Sequence, residues 1–415
     1  MEVALVVTAE TAPGALARRD VLTIALIGLA HACSHFFQLV LPPLFPLLVG
    51  ALDTSYTELG LAMTAFFVAS GIGQPLAGLL VDRFGARRVL FLGLGAYLLA
   101  VLAMAAADSV AALVPLMVIA GLGNSVFHPC DYTVLTASVH REYLGRAYGV
   151  HTLGGNLGWV AAPLLMLPVA HLLGWRAALA CAAAVGAAVW IALWINRAAL
   201  RDERDADPAP GPRTAPPTSL ALLRAPAVPL CFSYFLLIAG ALIAVQNFLP
   251  PILDALHATP LVLGAAALTG FLLGASGGVI AGGVVADRSA NHTGVIAGGL
   301  AGSGLLFVVL AHVAFPGAAL VAVLFAAGFL SGITTPSRDL LVRAATPRGA
   351  TGRVFGFVYS GLDVGSALAP ASVGWMLDHG HARWALWAVA ALLFAAIATA
   401  YSVRGATPVP ATDPL

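Results

Sequence analysis

Lysine is missing from this chain: all twenty of its basic residues are arginine. Charge of either sign is scarce, at 9% of 415 positions, against about 25% in ordinary soluble domains. A water-soluble globule of this size cannot cover its surface with so few charges, which excludes a soluble enzyme. A net charge of +1 offers no basic field for a phosphate backbone, which excludes a nucleic-acid binder. Cysteine is nearly absent too. The four present, Cys33, Cys130, Cys181 and Cys231, lie in apolar stretches, which argues against a disulfide scaffold. There is no glycine-rich phosphate loop, so ATP is not expected to drive anything here, and no catalytic constellation or cofactor is predicted. The use of arginine for lysine, with abundant alanine, fits a GC-rich coding bias.

What is present is apolar. Hydrophobic residues make up 60% of the chain, and the mean hydropathy is +0.94. A spanning helix needs about 20 such residues. Twelve runs qualify, at about 21–49, 58–81, 89–107, 110–138, 146–170, 175–196, 222–252, 260–286, 294–313, 315–340, 352–377 and 384–402. They are too long for barrel strands and lack a two-residue period, so the prediction is an all-α integral membrane protein in a lipid bilayer.

The arginines set the expected topology. Arg18 and Arg19 precede the first run; the patch Val3–Val7 is too short for a cleavable signal. Arg83, Arg87, Arg88, Arg141, Arg146, Arg197, Arg201, Arg204, Arg213, Arg224, Arg288, Arg343, Arg348 and Arg353 all fall between an even run and the next odd one. Only Arg176 and Arg383 fall on the other side. The positive-inside rule then puts both termini in the cytoplasm. The expected setting is a bacterial inner membrane.

The polar, proline-bearing stretch around 197–221 reads as a flexible cytoplasmic linker. It divides the chain into a tail at 1–20, a six-helix bundle at 21–196, a second bundle at 222–403 and a tail at 404–415. The halves repeat each other at a shift of about 205–208 residues. Gln38, Pro42 and Pro43 match Gln246, Pro250 and Pro251. Gly78, Asp82 and Arg83 match Gly283, Asp287 and Arg288, and Pro129 matches Pro336. Gly145, Arg146, Gly149, Gly154, Gly158, Ala162 and Pro163 match Gly352, Arg353, Gly356, Gly361, Gly365, Ala369 and Pro370. Such a duplication makes two pseudo-symmetric bundles that rock about a site at the bilayer midplane.

The stretch GLLVDRFGARR, Gly78 to Arg88, resembles the signature loop of the major facilitator superfamily, and it stands in the matching place between the second and third runs. The resemblance covers the whole chain and implies the major facilitator fold. Within the first half, SHFFQLVLPPLFPLL, GLGNSVFHPCD and GGNLGWVAAPLL are similar to the fosmidomycin-resistance branch, which implies efflux of small drug-like compounds. The glycine ladder from Gly145 to Pro163 resembles an antiporter-associated motif, but carries Ala162 and Leu164–Leu165 where that motif has glycines.

The signature loop predicts a conformational latch. Gly78 would allow close helix approach. Asp82 would cap the helix end near Gly352. Arg83, Arg87 and Arg88 would pair with Asp82 or with facing carboxylates.

Polar side chains in hydrocarbon are costly and mark function. They cluster on the first, fourth, seventh and tenth runs, which line the cavity in the resembled fold. The expected substrate-binding set is His31, His35, Gln38, Asn124, His128, Tyr132, Asn156, Gln246, Asn247 and Arg338. Asn124, His128, Asp131 and Tyr132 are spaced to share one helix face. The expected proton-coupling set is Asp131, His128, His151 and Asp363. Asp131 and Arg338 are equivalent in the repeat, so they are expected either to form a salt bridge across the cavity or to leave Arg338 as the anchor of an anionic substrate. The motif His31-x3-His35 with His128 and Asp131 has metal-ligating chemistry. Against that stand only six methionines, and no metal site is assigned.

The leading expectation is a secondary transporter, not an enzyme, that exports a small organic or anionic solute in exchange for protons by alternating access, acting as a monomer. The alternative is proton-coupled uptake of an organic anion such as a carboxylate. A metal or metal-chelate transporter is a less favoured reading, and a non-transporting sensor is disfavoured because no long cytoplasmic domain is appended.

Overall fold

The computed structural model describes residues 18–201, 226–345 and 351–406, with the side chains of residues 141, 344–345 and 351–356 excepted. Every regular element among the described residues is helical. In hydrocarbon this is the form in which a single segment satisfies its own backbone. The spans are Arg18–Ala51, Tyr56–Phe84, Ala86–Met104, Val110–Ser138, Leu144–Leu173, Trp175–Ile195, Ala227–His257, Leu261–Arg288, His292–Leu310, Gly317–Arg343, Thr351–Asp378 and Ala382–Ala406, numbered 1 to 12. Eleven of them are long and apolar enough to cross a bilayer. Span 11 has the length, at 28 residues, and the side chains of its first six residues are not among those described.

Three spans are broken, and prolines explain where. Span 1 leaves α-helical geometry at Gln38 and resumes through a 3-10 turn, Pro42–Leu44, into the helix Phe45–Ala51. Pro42 and Pro43 have no N–H to offer the carbonyls of Gln38 and Leu39. Span 4 consists of Val110–Asn124 and Phe127–Ser138; span 10 consists of Gly317–Gly332 and Thr335–Ala345. Pro129 and Pro336 withdraw the donors that Ser125 and Gly332 would have used, so both repeats break at the same point. The prolines of span 7 behave differently: Pro250 and Pro251 sit inside the continuous helix Ala227–His257.

Turns are short and chemically specified. One residue, Gly85 at φ 88°, separates span 2 from span 3, in a conformation that L side chains rarely adopt. Ser55 and Glu58 form a reciprocal capping box at the start of span 2.

The duplication is visible in the packing. Gly154 and Gly158 bring span 5 against the backbone of span 1: a methyl at Gly154 would lie 2.6 Å from the Gly28 carbonyl oxygen, and one at Gly158 would overlap that of Ala32. Their repeat partners Gly361 and Gly365 bring span 11 against the Phe232 and Leu236 carbonyls of span 7 in the same way. The other expected ladder members, Gly145 and Gly149, have open space where a methyl would go. A methyl at Gly78 would likewise meet nothing within 4 Å among the described residues.

The bundles meet along spans 2 and 11 and along spans 5 and 8. The span 2–11 seam begins at the end remote from the Arg83–Arg88 loop. There the Asp378 carboxylate accepts from the backbone N–H groups of Tyr56 (2.9 Å) and Thr57 (2.8 Å). It continues through the Thr64 hydroxyl, which donates to the Ala367 carbonyl (2.6 Å).

The expected linker begins differently from the prediction. Arg197–Ala199 form a 3-10 turn held to the first bundle, with the Thr23 hydroxyl donating to the Ala199 carbonyl (3.0 Å) and Arg87 directed at the carbonyls of Arg197 and Leu200. A buried Leu200 fixes this turn to the bundle, so the first linker residues belong to it. Residues 18–20 and 404–406 of the expected tails belong to spans 1 and 12; the remaining tail residues, the linker beyond residue 201, and the predicted capping by Asp82 near Gly352 fall outside the described residues and side chains.

Candidate functional site

The break in span 4 organises the first bundle's polar cluster. Because the helix restarts at Phe127, Asn124 does not stack over His128 as its spacing predicts. It turns instead to span 2, donating from Nδ2 to the Ser70 hydroxyl (2.9 Å). His128, Asp131 and Tyr132 lie on the restarted segment. Asp131 is wholly buried. Its Oδ2 lies 3.2 Å from His31 Nδ1 on span 1 and 3.0 Å from His151 Nε2 on span 5. Its Oδ1 has no hydrogen-bond partner among the described residues. The His31 and His151 rings stack with centroids 3.6 Å apart, and the His128 ring lies 5.1 Å from His31. One nitrogen each of His31, His128 and His151 lies within 4.8 Å of the others. His128 is the exposed member of the three.

Gly155 makes room for this cluster: a methyl there would lie 2.8 Å from His35 and 2.9 Å from His31. His35 stacks on Trp159, with centroids 4.3 Å apart, and Trp159 Nε1 donates to Gln38 Oε1 (2.7 Å). His35, whose ring centroid also lies 4.4 Å from that of His31, thus links the carboxylate cluster to Trp159 and Gln38.

The second bundle has its own cluster. Arg338 Nε donates to the adjacent Asp339 Oδ1 (2.9 Å), and the guanidinium carbon lies 4.7 Å from the Phe235 ring centroid. The Tyr359 hydroxyl donates to the same Asp339 oxygen (3.3 Å). Tyr132 of the first bundle interacts electrostatically with Asp339 and Tyr359, so the clusters face each other. The expected Asp131–Arg338 salt bridge is absent here. Asp131 turns into its own bundle, where imidazoles from spans 1 and 5 are within reach; Arg338 is held by its sequence neighbour and an aromatic face.

The remaining nominated residues are scattered. Asp363 sits at the span 2–11 seam, where Gln74 Nε2 donates to its Oδ1 (3.2 Å). Gln246 and Asn247 are buried in span 7, and Asn156 is half-buried in span 5. Asp82, Arg83, Arg87 and Arg88 stand at the span 2–3 turn, with Arg83 over the Phe84 ring at 5.2 Å. All four cysteines are free thiols. Sequence reasoning did not single out Trp159, Gln74, Phe235, Tyr359 or Asp378. Trp159 was legible, one helical turn past Gly155 on the ladder span; the others depend on helix pairing.

Twelve spans in two repeated bundles, with facing polar clusters on broken helices, define a secondary-transporter architecture. The sequence model of the Major Facilitator Superfamily matches residues 27–265 and 230–414, and the chain belongs to that family. It is 25% identical over 346 residues to the inner membrane transport protein YdhP of Escherichia coli K12, covering 81% of this chain and 84% of that one. Shorter matches link it to the uncharacterized transporter YfnC of Bacillus subtilis (31% identity) and the fosmidomycin resistance protein of E. coli K12 (28%), each spanning only 34% of the relative's length. Among solved structures, a bacterial homologue of the human lysosomal transporter Spinster superposes with a TM-score of 0.74 at 15% identity, covering 95% of this chain and 99% of that one. That likeness concerns the fold. Membership of that family and the membrane-length helices make the chain a multi-pass membrane protein of the major facilitator fold.

Proposed function

We propose that this chain exports a small organic solute, anionic or drug-like, in exchange for protons, by alternating access across a bacterial inner membrane. The observation that carries the reading is Asp131: a carboxylate with no guanidinium partner, buried between His31 and His151 beside the exposed His128. A carboxylate and imidazoles in such a setting are the groups that can gain and lose a proton at little cost in rearrangement. His151 shares this role, and Asp363 at the seam is a second exchange point.

Arg338 supplies the anion anchor. Asp339 takes only its Nε–H, which leaves the terminal amino groups for a carboxylate or phosphonate. His35, Gln38, Asn156, Gln246 and Asn247 complete the expected contact set. The fosmidomycin resistance relative supports export over uptake, as does the chloramphenicol resistance protein of Pseudomonas aeruginosa, 36% identical over 141 residues.

The arginine-bearing loops and both termini face the cytoplasm, and the contacts at the Asp378 end close the opposite side of the span 2–11 seam. Asp82, Arg83, Arg87 and Arg88 at the span 2–3 turn are the latch of the cytoplasmic side. The transport unit is a single chain.

The test is flux of fosmidomycin, chloramphenicol and simple carboxylates in proteoliposomes under an imposed pH gradient. Movement of solute against the proton gradient supports antiport; co-movement supports the uptake alternative. Flux indifferent to the gradient overturns proton coupling.

A further inference from the structure

The first-bundle cluster holds more nitrogen donors than proton exchange requires. Three imidazoles from three different spans converge, one nitrogen of each lying within 4.8 Å of the others. A tetrahedral zinc ion with bonds of about 2.0–2.1 Å needs its nitrogens about 3.3 Å apart, so small side-chain movements close the set. These are not the residues that sequence spacing suggested. His35 lies between the His31 ring, at 4.4 Å between centroids, and the Trp159 ring, but its nitrogens do not join the set, which His151 from span 5 completes.

Asp131 fits the site as an orienting group. It hydrogen-bonds one nitrogen of His151, and its same oxygen lies 3.2 Å from His31 Nδ1, a contact without hydrogen-bond geometry. Each ring keeps a second nitrogen, and a carboxylate behind a ligating imidazole fixes its tautomer and raises its basicity. The unpartnered Asp131 Oδ1 shows that the cluster is not a closed hydrogen-bond network among the described residues. His128 is exposed while His31 and His151 are buried, which leaves one side of the set approachable.

We infer that His31, His128 and His151 form a binding site for a divalent first-row transition-metal ion, with Asp131 as the positioning residue. Imidazole donors without thiolate or thioether suit Zn2+, Co2+, Ni2+ or Cu2+ and disfavour Mg2+ and Ca2+. The inference goes beyond the transport reading and does not depend on it, since binding is measured without flux.

The experiment uses the purified full chain in detergent, with any affinity tag removed. Titration with Zn2+ by calorimetry, and with Co2+ by visible absorption, reads stoichiometry and geometry. The expected result is one ion per chain with a four-coordinate Co2+ spectrum. His128→Ala, the substitution at the exposed ligand, should abolish it while leaving the size-exclusion profile unchanged. Asp131→Asn should weaken it by about 10–100-fold, the usual effect of losing an outer-shell partner. Lack of stoichiometric binding of either ion, or binding undiminished in a folded His128→Ala protein, overturns the inference.

Discussion

His151 Nε2 lies 3.0 Å from Asp131 Oδ2, and this contact between spans 5 and 4 replaces the salt bridge that the repeat had suggested between Asp131 and Arg338. The two residues occupy the same place in the two halves, yet each finds its partner within its own bundle. The first bundle thus carries imidazole and carboxylate chemistry, and the second carries guanidinium chemistry.

Arg338→Ala is expected to abolish transport of anionic solutes while the protein still expresses and folds. Removing one member of a desolvated charge pair costs about 2–5 kcal/mol, enough to raise the apparent Kd at least tenfold. Arg338→Lys should recover little of it, because an ammonium cannot form the two parallel bonds of a guanidinium fork. Solute-dependent thermal stabilisation of each variant checks this; full stabilisation of the alanine variant by anionic solutes would remove the anchor role.

Asp378→Ala removes the carboxylate that accepts from the Tyr56 and Thr57 N–H groups at the start of span 2. A lost helix cap costs about 1 kcal/mol. Here that cost falls only on the state in which the bundles meet at this end. The variant should therefore shift toward the opposite opening by about fivefold, readable by spin-label distances across the span 2–11 seam. An unchanged distance distribution would show that the contact is incidental. Asp82→Asn acts on the other end and should slow turnover more than it weakens solute binding; a pure affinity loss in single-turnover measurements would contradict the latch.

Gly158→Ala and Gly365→Ala should destabilise to a similar degree, because each methyl would run into a carbonyl oxygen at an equivalent helix crossing. Overpacking of this kind costs about 1–3 kcal/mol. Gly149→Ala, with open space at its Cβ, is the control and should leave the melting temperature nearly unchanged. A sharp drop for Gly149→Ala, or none for the other two, would break the account of the ladder.

Hydropathy and proline placement made the fold legible. The twelve runs were readable because lipid demands long unbroken apolar segments. The duplication was readable because repeated helix crossings keep their small residues and their prolines. Even the broken spans were foreshadowed by Pro129 and Pro336. Side-chain partnerships were not legible. Whether Asp131 faces Arg338 or His151 depends on the rotation of span 4 after its break, which no one-dimensional pattern encodes. The same rotation removed Asn124 from the histidine face and gave it to Ser70. His35 stays beside His31 but stacks on Trp159, a residue with no charge to draw attention to it. Asp378 reads in the sequence as an ordinary loop-end charge; only the pairing of span 11 with span 2 gives it a task.

The measurement closest to the central claim is proton movement on solute addition to proteoliposomes loaded with a pH-sensitive dye, comparing wild type with Asp131→Asn. Asparagine keeps the shape but cannot carry the proton. The wild type should show solute-dependent proton flux opposite to the solute. The variant should show none, while still exchanging solute for solute across the membrane. Equal proton flux in both proteins would contradict the assignment of coupling to the buried Asp131 cluster.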